Sequence, residues 1–296
     1  MATPALIDRR RVKRNFDRAA ATYDGASVLQ REVAKRLLDR LDLIKRQPTR
    51  ILDAGSGTGL VTRALERRYP AAGILQLDQS LRMLRASRAA GSFWRQLTRI
   101  ARAPAPVRIC GDMESLPLHS ASVDLVCSNL ALEWCERPQQ AVREFHRVLS
   151  RGGLLMFTTL GPDTLKELRA VMAAESGHPG VHHFTDMHDI GDLLVSNGFA
   201  DPVVDMEHLT LTYADLSALF ADLRASGCQY ALTSAHRGLR GSDWPARLER
   251  RYAAFAQDGR LPATFEIVYG HAWKPEQGSL VRGDGSAVIQ FHSRRA

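Results

Sequence analysis

The sequence has few cysteines and lacks any long apolar run. Among its 296 residues are four cysteines, Cys110, Cys127, Cys135 and Cys228, and no two of them form a C-x-x-C pair. We therefore expect reduced, mostly buried thiols rather than disulfides. No apolar run approaches the roughly 20 residues that span a bilayer, and no apolar segment near Met1 resembles a signal peptide. The sequence predicts a cytoplasmic protein.

Residues that ligate metals are also sparse. His178, His182, His183 and His188 form the one histidine cluster in the sequence, but its spacing does not match H-E-x-x-H and no cysteine pair accompanies it. We therefore predict no metal site. The sequence also lacks internal repeats and low-complexity tracts. Its length allows one large α/β domain with embellishments or two modest domains.

Positive charge is in excess. Lysine and arginine number 40 against 32 aspartates and glutamates, which gives a net charge of +8. Such an excess favours an anionic partner, and an acidic protein or a nucleic acid would both qualify. Arginines crowd the segment from Asp8 to Arg18, where Val12 and Phe16 recur at helical spacing. We expect an amphipathic helix there, with its basic side in water.

Three glycines at alternate positions organise the chain. The run Ile51 to Asp53 is apolar and ends in an acid, then Gly55, Gly57 and Gly59 follow, and Leu60 opens a segment with helical spacing. A strand, a tight turn and a helix in this order let a ligand lie against the glycine backbone. The dinucleotide fingerprint G-x-G-x-x-G would need its third glycine at the position of Leu60. The spacing G-x-G-x-G behind Asp53 instead resembles the first motif of class I S-adenosylmethionine-dependent methyltransferases.

Polar residues end the strands that follow. Ile74 to Asp78 predicts a second strand whose last residue stands roughly 20 residues past the glycines, where a ribose-binding carboxylate is expected. Met83 follows at a position suited to pack on adenine or to fill the core. Val107 to Cys110 predicts a third strand, and Ser122 to Leu130 predicts a fourth. Because ligands of open α/β sheets bind beyond the carboxyl ends of the strands, we expect Asn129 close to a transferable methyl group.

The order of the elements predicts the fold. Strands and helices alternate from Ile51 onward, which favours a parallel sheet with right-handed crossovers. We predict an α/β, Rossmann-like class I methyltransferase fold, with a mostly parallel seven-stranded sheet and helices on both faces. The predicted domain limits are 1–48 for N-terminal helices that form a lid or docking element, 49–213 with 261–296 for the core, and 214–260 for a helical cap inserted before the last core strand.

Some finer expectations concern single elements. A helix from Ser27 to Leu43 should turn Val28 inward, and another should run from Ser80 to about Ala101. The glycine-containing stretch Ser150 to Gly153 should end a helix before the fifth strand begins. Ala287 to Phe291 should add a further edge strand.

Six further segments are distinctive. They are Phe16 to Asp24 (FDRAAATYD), Val28 to Val33 (VLQREV), Ser128 to Cys135 (SNLALEWC), Phe157 to Arg169 (FTTLGPDTLKELR), Asp186 to Asp192 (DMHDIGD) and Leu261 to Trp273 (LPATFEIVYGHAW). In these segments the chain resembles the malonyl-acyl carrier protein O-methyltransferase family of biotin synthesis, over nearly its whole length. The glycine motif assigns only the superfamily, whereas the GPDTLKELR and GHAW segments are much more specific.

The resemblance implies a function and a site. The enzyme would transfer a methyl group from S-adenosyl-L-methionine to the free carboxyl of a malonyl thioester on acyl carrier protein, and the ester would prime pimeloyl synthesis for biotin. In this fold family an aspartate after the third strand accepts the adenine amino group, which indicates Asp112, and Met113 would offer its backbone N–H. The implied cofactor-binding residues are Asp53, Gly55, Gly57, Gly59, Asp78, Met83, Asp112, Met113 and Asn129.

The implied chemistry needs no general base, because a carboxylate is already ionised at pH 7. Positioning, which can supply ~7–11 kcal/mol, would then provide most of the catalysis. We predict Tyr23 and Asn129 as the catalytic residues. Tyr23 either directs its hydroxyl toward the substrate carboxylate or the methionine end of the cofactor, or packs the N-terminal helix on the sheet. A buried substrate carboxylate also needs a donor, and the sequence leaves open whether Arg224, Arg237 or another residue provides it.

The implied partner is an acidic carrier protein, which matches the positive charge. Basic residues around Arg9 to Arg18 or Arg247 to Arg251 would form the docking patch, and salt would weaken it. We expect no nucleic-acid or membrane partner, and a monomer or weak dimer.

Three alternatives remain. A nucleic-acid methyltransferase would explain the charge, but Asn129 is followed by Leu130 and Ala131 rather than by the Pro-Pro-aromatic segment of amino-group methylation. A protein-modifying or assembly-factor relative with the same fold is a second alternative. A carboxyl methyltransferase of a free small acid is the third, and acceptor preference would separate it from the carrier-dependent enzyme.

Overall fold

One sheet orders the protein. The computed structural model describes residues 7–88, 105–176, 180–229 and 243–276. Within these ranges seven strands pair in the order β3-β2-β1-β4-β5-β7-β6. The strands β1 to β5 pair in parallel, and β7 runs antiparallel to both β5 and β6. The strands are β1 (Arg50–Ala54), β2 (Gly73–Asp78), β3 (Val107–Cys110), β4 (Val123–Asn129), β5 (Leu149–Leu160), β6 (Ala200–Tyr213) and β7 (Leu261–Trp273).

Helices lie before and between the strands. Three short 3-10 helices at Leu41–Leu43, Leu132–Trp134 and Ala253–Phe255 supplement the α-helices of the described ranges. The α-helices are α1 (Arg9–Ala19), α2 (Tyr23–Ala26), α3 (Val28–Arg40), α4 (Leu60–Arg68), α5 (81–88), α6 (Pro138–Val148), α7 (Lys166–Ser176), α8 (Met187–Ser196), α9 (Leu216–Ala225) and α10 (Trp244–Tyr252).

Both faces of the sheet are covered, because successive side chains of a strand point to opposite sides. On one face Leu52 and Val126 pack against Phe145 of α6 and against α8. On the other face Ile51 packs in a cluster with Leu65 of α4 and with α3. Each such buried side chain contributes about 1.5–3 kcal/mol of transfer free energy. The predicted α/β fold with helices on both faces is confirmed.

A separate apolar cluster joins α3, α7, α9, α10 and β7. Its buried members include Leu168, Leu248 and Tyr252, and the Tyr252 hydroxyl donates to the carbonyl oxygen of Pro262 at 2.8 Å. The helices α9 and α10 are therefore packed onto the last strand of the chain's core. The predicted domain limits, including the cap at 214–260, stay a prediction.

Two of the finer expectations were wrong. Val28 is 51% exposed because it is the first residue of α3, before the helix meets the sheet. The stretch from Ser150 to Gly153 does not separate a helix from a strand, since β5 begins directly at Leu149. Gly152 has φ 65°, and the register shift between Val123 and Leu125 shows that β5 is irregular at this point. The expected strand from Ala287 to Phe291 lies outside the described residues, as does the end of the helix that begins at 81.

Among the described helices, none combines the length and the apolar character that crossing a bilayer requires.

Candidate active site

A small cleft of about 60 Å³ lies where the carboxyl ends of β1, β2, β3 and β4 meet. We call it the small cleft. It gathers most of the residues that the sequence predicted, and the predicted residues that line it are Tyr23, Gly55, Gly57, Asp78, Met83, Asp112, Met113 and Asn129. Asp53 and Gly59 lie outside its lining. The geometry therefore brings eight of the ten predicted site residues around one space.

Asp78 ends β2 and faces the glycine loop. One carboxylate oxygen accepts a hydrogen bond from the backbone N–H of Gly57 at 2.9 Å, and the other accepts one from the backbone N–H of Ser80 at 2.7 Å. Burial raises the pKa of the Asp78 carboxyl to about 6, although both N–H donors act to lower it. Each oxygen keeps a free lone pair, so the carboxylate can accept two further hydrogen bonds from a ligand.

The glycine loop approaches its neighbours closely. Gly55 and Gly57 have φ of 74° and 53°, which favour glycine. A Cβ on Gly55 would collide with the side chain of Ala131, whereas a Cβ on Gly57 would lie 3.9 Å from the Tyr23 ring. The loop backbone itself therefore forms the floor of the small cleft.

Asp53 and Gly59 support this loop from beneath. The Thr62 hydroxyl of α4 donates to the Asp53 carboxylate at 2.5 Å, and burial raises the pKa of that carboxyl to about 7. Gly59 has φ 80° and lies against Ser87 and Gln76, where a Cβ would clash with both side chains. These two residues position the loop rather than line the cleft.

The helix α1 lies along one side of the small cleft. The sequence predicted a lid or docking element in residues 1–48, but it did not predict the contacts of Arg9 and Asp17. Arg9 forms an ion pair with Asp112, whose other oxygen accepts the backbone N–H of Glu114 at 2.9 Å. The Ser80 hydroxyl donates to Asp17 of the same helix at 2.6 Å. The concentration of arginines in α1 was the one available signal, but it could not identify partners so distant in sequence.

Tyr23 and Asn129 have different surroundings. Tyr23 is half-buried at the start of α2, and burial raises the pKa of its hydroxyl well above the usual value. The Asn129 amide donates to the backbone oxygen of Gln30 at 3.2 Å, and its oxygen accepts the Thr158 hydroxyl at 3.0 Å. Asn129 therefore connects α3 to β4 and β5, while the Tyr23 hydroxyl has no hydrogen bond to another described residue.

A second, larger space of about 420 Å³ adjoins the small cleft, and we call it the large cavity. Phe16, Tyr23, Leu130 and Trp134 line both spaces and so form the junction between them. Most of the lining is apolar and comes from α3, α7, α9, β7 and the junction. The charged or titratable side chains in it are Arg11, Tyr23, Glu133, His182, Asp222, Arg224 and Cys228.

Some of these polar residues were missed by the sequence reasoning. Arg224, one of the two arginines named as a donor to the substrate carboxylate, lines the large cavity. The other, Arg237, lies outside the described residues. Arg11 and Glu133 also line it, and neither was singled out. Glu133 lies one turn beyond the end of β4, so the rule that ligands bind beyond strand ends could have found it.

The histidines do not form a metal site within the described ranges. His182 lines the large cavity, and burial lowers its pKa to about 4. His183 is exposed, His188 bonds to Asp186 at 2.7 Å, and His178 is not among the described residues. A different group, Asp163, His208 and Glu266, brings its ligand atoms within 4.8 Å of one another. Because the Lys166 ammonium already lies 3.0 Å from Asp163, we keep the prediction that no metal is bound.

Comparison with known proteins identifies the family. A family model described as a methyltransferase domain matches residues 52–157, which span β1 to β5. A malonyl-acyl-carrier protein O-methyltransferase of Methylovorus sp. (strain MP688) is 50% identical over 98% of this chain and 96% of its own length. A protein of the same name from Laribacter hongkongensis is 52% identical, and the match covers 99% of this chain and 98% of its own length. The chain belongs to the malonyl-acyl-carrier protein O-methyltransferase family.

Membership of the malonyl-acyl-carrier protein O-methyltransferase family confirms the resemblance in the sequence and makes the chain an O-methyltransferase. A more distant member, from Coxiella burnetii, is still 40% identical over 97% of this chain. Solved structures add support for the fold alone. The YcgJ protein of Bacillus subtilis gives a TM-score of 0.56 at 15% identity, covering 81% of this chain and 98% of its own. The cyclase SpnF gives a TM-score of 0.50 at 18% identity, covering 83% of this chain and 80% of its own. Because a protein described as a cyclase has a similar fold, the function must be argued from the site.

Proposed function

We propose that this chain transfers a methyl group from S-adenosyl-L-methionine to the free carboxyl of a malonyl thioester on acyl carrier protein, as a step of biotin synthesis. One observation carries the proposal. A cleft with a ribose-type acid adjoins an apolar cavity, in a chain 50% identical over nearly its whole length to a relative of that name. All four cysteines are free, which supports a place in the reducing cytoplasm.

We assign the small cleft to the adenosine of the cofactor because of the residues that line it. We assign the two free lone pairs of the Asp78 carboxylate to the two ribose hydroxyls, where each charge-assisted bond contributes about 1.5–3 kcal/mol. We assign Asp112 to the adenine amino group. The other lining residues that we assign to the cofactor are Gly55, Gly57, Met83, Met113 and Asn129. Asp53 and Gly59 would hold the loop in place from beneath.

The acyl end of the substrate belongs in the large cavity. Methylation removes the charge of the malonyl end, and an apolar lining suits a chain end that leaves as an ester. The junction at Tyr23 and Leu130 is where the two spaces meet, so the methyl group would cross there.

The chemistry requires positioning rather than proton transfer. When bound, S-adenosyl-L-methionine would supply an electrophilic methyl group to the malonyl carboxylate oxygen, with S-adenosylhomocysteine as the leaving group. The Tyr23 hydroxyl keeps its proton, because burial raises its pKa, and can donate to a carboxylate oxygen. Asn129 has its amide engaged with Gln30 and Thr158, so we assign it the role of fixing the junction.

An acidic carrier protein would dock on α1. Arg10, Arg14 and Arg18 are exposed and spaced four residues apart, so they lie on one face of this helix. The same helix places Arg9 and Arg11 at the small cleft and the large cavity, respectively. A carrier bound to this face would thus be held beside the two spaces. Electrostatic complementarity of this kind mainly raises the association rate.

A labelled-methyl assay with several acceptors tests the proposal. The purified protein is incubated with methyl-labelled S-adenosyl-L-methionine and with malonyl-carrier protein, malonyl-coenzyme A or free malonate. We expect base-labile label on malonyl-carrier protein, less on the coenzyme A thioester and least on the free acid. Preferred methylation of the free acid would support the small-acid alternative. Label that resists base on a protein side chain would instead support a protein-modifying enzyme.

A further inference from the structure

Glu133 occupies a particular place in the large cavity. It lies in the short helix Leu132–Trp134 directly after β4, between two residues of the junction, Leu130 and Trp134. Its carboxyl lines the large cavity and not the small cleft. Burial is the main cause that raises the pKa of the Tyr23 hydroxyl at the junction, and the nearby Cys228, Asp78 and Glu133 raise it further. Glu133 therefore lies on the acyl side of the junction, and Asp78 lies on the cofactor side.

Glu133 differs from other acids of the protein in its partners. Glu114 is buried but bonds to Arg137 at 3.1 Å, and Glu175 bonds to Arg247 and Arg251. In the part of the chain that the structure describes, Glu133 has no ion pair. Apart from its own backbone N–H, its carboxyl accepts only a long hydrogen bond, 3.3 Å, from the Thr159 hydroxyl.

A carboxyl in a largely apolar lining, with no ion pair to a described residue, favours its neutral form. Burial accordingly raises the pKa of Glu133 to about 8. With this pKa the side chain is mainly protonated at pH 7 and can donate a hydrogen bond into the cavity. Neutral Glu133 does not repel an anion, whereas ionised Glu133 does.

We propose that Glu133 recognises the substrate by donating a hydrogen bond from its neutral carboxyl to the malonyl carboxylate, on the oxygen that is not methylated. The inference rests on the proposed function. Such a bond directs the second oxygen toward the junction and the methyl group. Glu133 keeps its proton throughout, because methyl transfer from a sulfonium to a carboxylate releases none. The bond weakens once the carboxylate becomes a neutral ester, which favours release of the product.

Burial moves the pKa values of several other groups around the cavity away from pH 8. Burial lowers the pKa of His182 to about 4, so it is neutral throughout. Burial also raises the pKa of Cys228 to about 12, and it raises the pKa of Tyr23 and of Cys135 beside Glu133 well above their usual values. The remaining charged groups of the lining are Arg11, Asp222, whose carboxylate accepts the Tyr213 hydroxyl at 2.8 Å, and Arg224.

The test is the pH profile of kcat/KM on malonyl-carrier protein for the wild type, Glu133→Gln and Glu133→Leu. We expect wild-type activity to fall as the pH rises through about 8, because the ionised carboxylate repels the substrate. Glu133→Gln, which is always neutral and still donates, should stay within about threefold of the wild type at pH 7 and lose the alkaline fall. Glu133→Leu should lose about 10–100-fold in kcat/KM, as expected for one charge-assisted bond.

Binding measurements separate recognition from folding. Glu133→Leu should bind S-adenosylhomocysteine like the wild type and should bind acetyl-carrier protein, which lacks the carboxylate, with unchanged affinity. Its affinity for malonyl-carrier protein should fall. An alkaline fall that persists in Glu133→Gln, or equal losses of malonyl- and acetyl-carrier binding in Glu133→Leu, would overturn the inference while the proposed function stands. A wild type that methylates no malonyl thioester would overturn both.

Discussion

The Thr62 hydroxyl donates a hydrogen bond to the Asp53 carboxylate at 2.5 Å, within the buried space between β1 and α4. This bond turns the acid of the glycine motif away from the small cleft and toward the helix that the loop precedes. The first motif of the family therefore contains two kinds of residue. Some line the cleft, and others fix the loop that forms its floor.

Asp53 gives the first prediction, which concerns the pH dependence of stability. Burial raises the pKa of Asp53 to about 7 from the ordinary carboxyl value of 3.8, so between these values the folded protein binds a proton that the unfolded chain has released. Stability must then fall as the pH rises from about 4 to about 7. Asp53→Asn can still accept the Thr62 hydrogen bond but has no charge to bury. It should therefore remove this loss of stability, which is on the order of 2–4 kcal/mol at pH 7.

Urea unfolding at several pH values measures this effect of Asp53 on the free energy of unfolding. Because other acids with lowered pKa values oppose the trend, the quantity to compare is the difference between wild type and Asp53→Asn. The stability advantage of Asp53→Asn should grow from pH 4 to pH 7. A difference that is independent of pH would show that Asp53 is ionised in the folded protein.

The second prediction concerns Gly59. Its positive φ of 80° and its contacts with Ser87 and Gln76 leave no room for a side chain. Gly59→Ala should therefore destabilise the protein by on the order of 2–4 kcal/mol. The matched control is Gly191→Ala in α8, where a Cβ meets no atom within 4 Å and should stabilise the helix by about 0.5–1 kcal/mol. Unfolding midpoints that fall in both variants, or in neither, would refute this role of Gly59.

The third prediction concerns docking of the carrier. The double variant Arg10→Glu and Arg14→Glu reverses the charge of the exposed face of α1 without changing its contacts with the small cleft. We expect its KM for malonyl-carrier protein to rise about tenfold at low salt and its KM for malonyl-coenzyme A to change little. Arg143→Glu, exposed on α6, is the control for a charge reversal away from α1 and should behave like the wild type. An equal rise for both thioesters would place the carrier elsewhere.

Local sequence patterns predicted the strand ends but not the contacts made across the sheet. The apolar runs ending in Asp53, Asp78 and Asn129 predicted β1, β2 and β4, because strand periodicity and terminal polar residues are local signals. The pairing of Arg9 with Asp112 depends on how α1 packs, and no spacing rule connects residues so far apart. The neutral state of Glu133 also depends on what the fold removes from its surroundings.

Asp78 carries the central claim, since the proposed ribose contact at the end of β2 would place the nucleoside and hence the methyl group. The direct test is calorimetric titration with S-adenosylhomocysteine of the wild type, Asp78→Ala and Asp205→Ala. Asp205 is an exposed acid of β6 that pairs with Arg40 and lines neither space, so its variant serves as the control. We predict one ligand per chain for the wild type, an affinity at least about tenfold lower for Asp78→Ala, and no change for Asp205→Ala. Absence of binding by the wild type, or equal affinity in Asp78→Ala, would contradict the account.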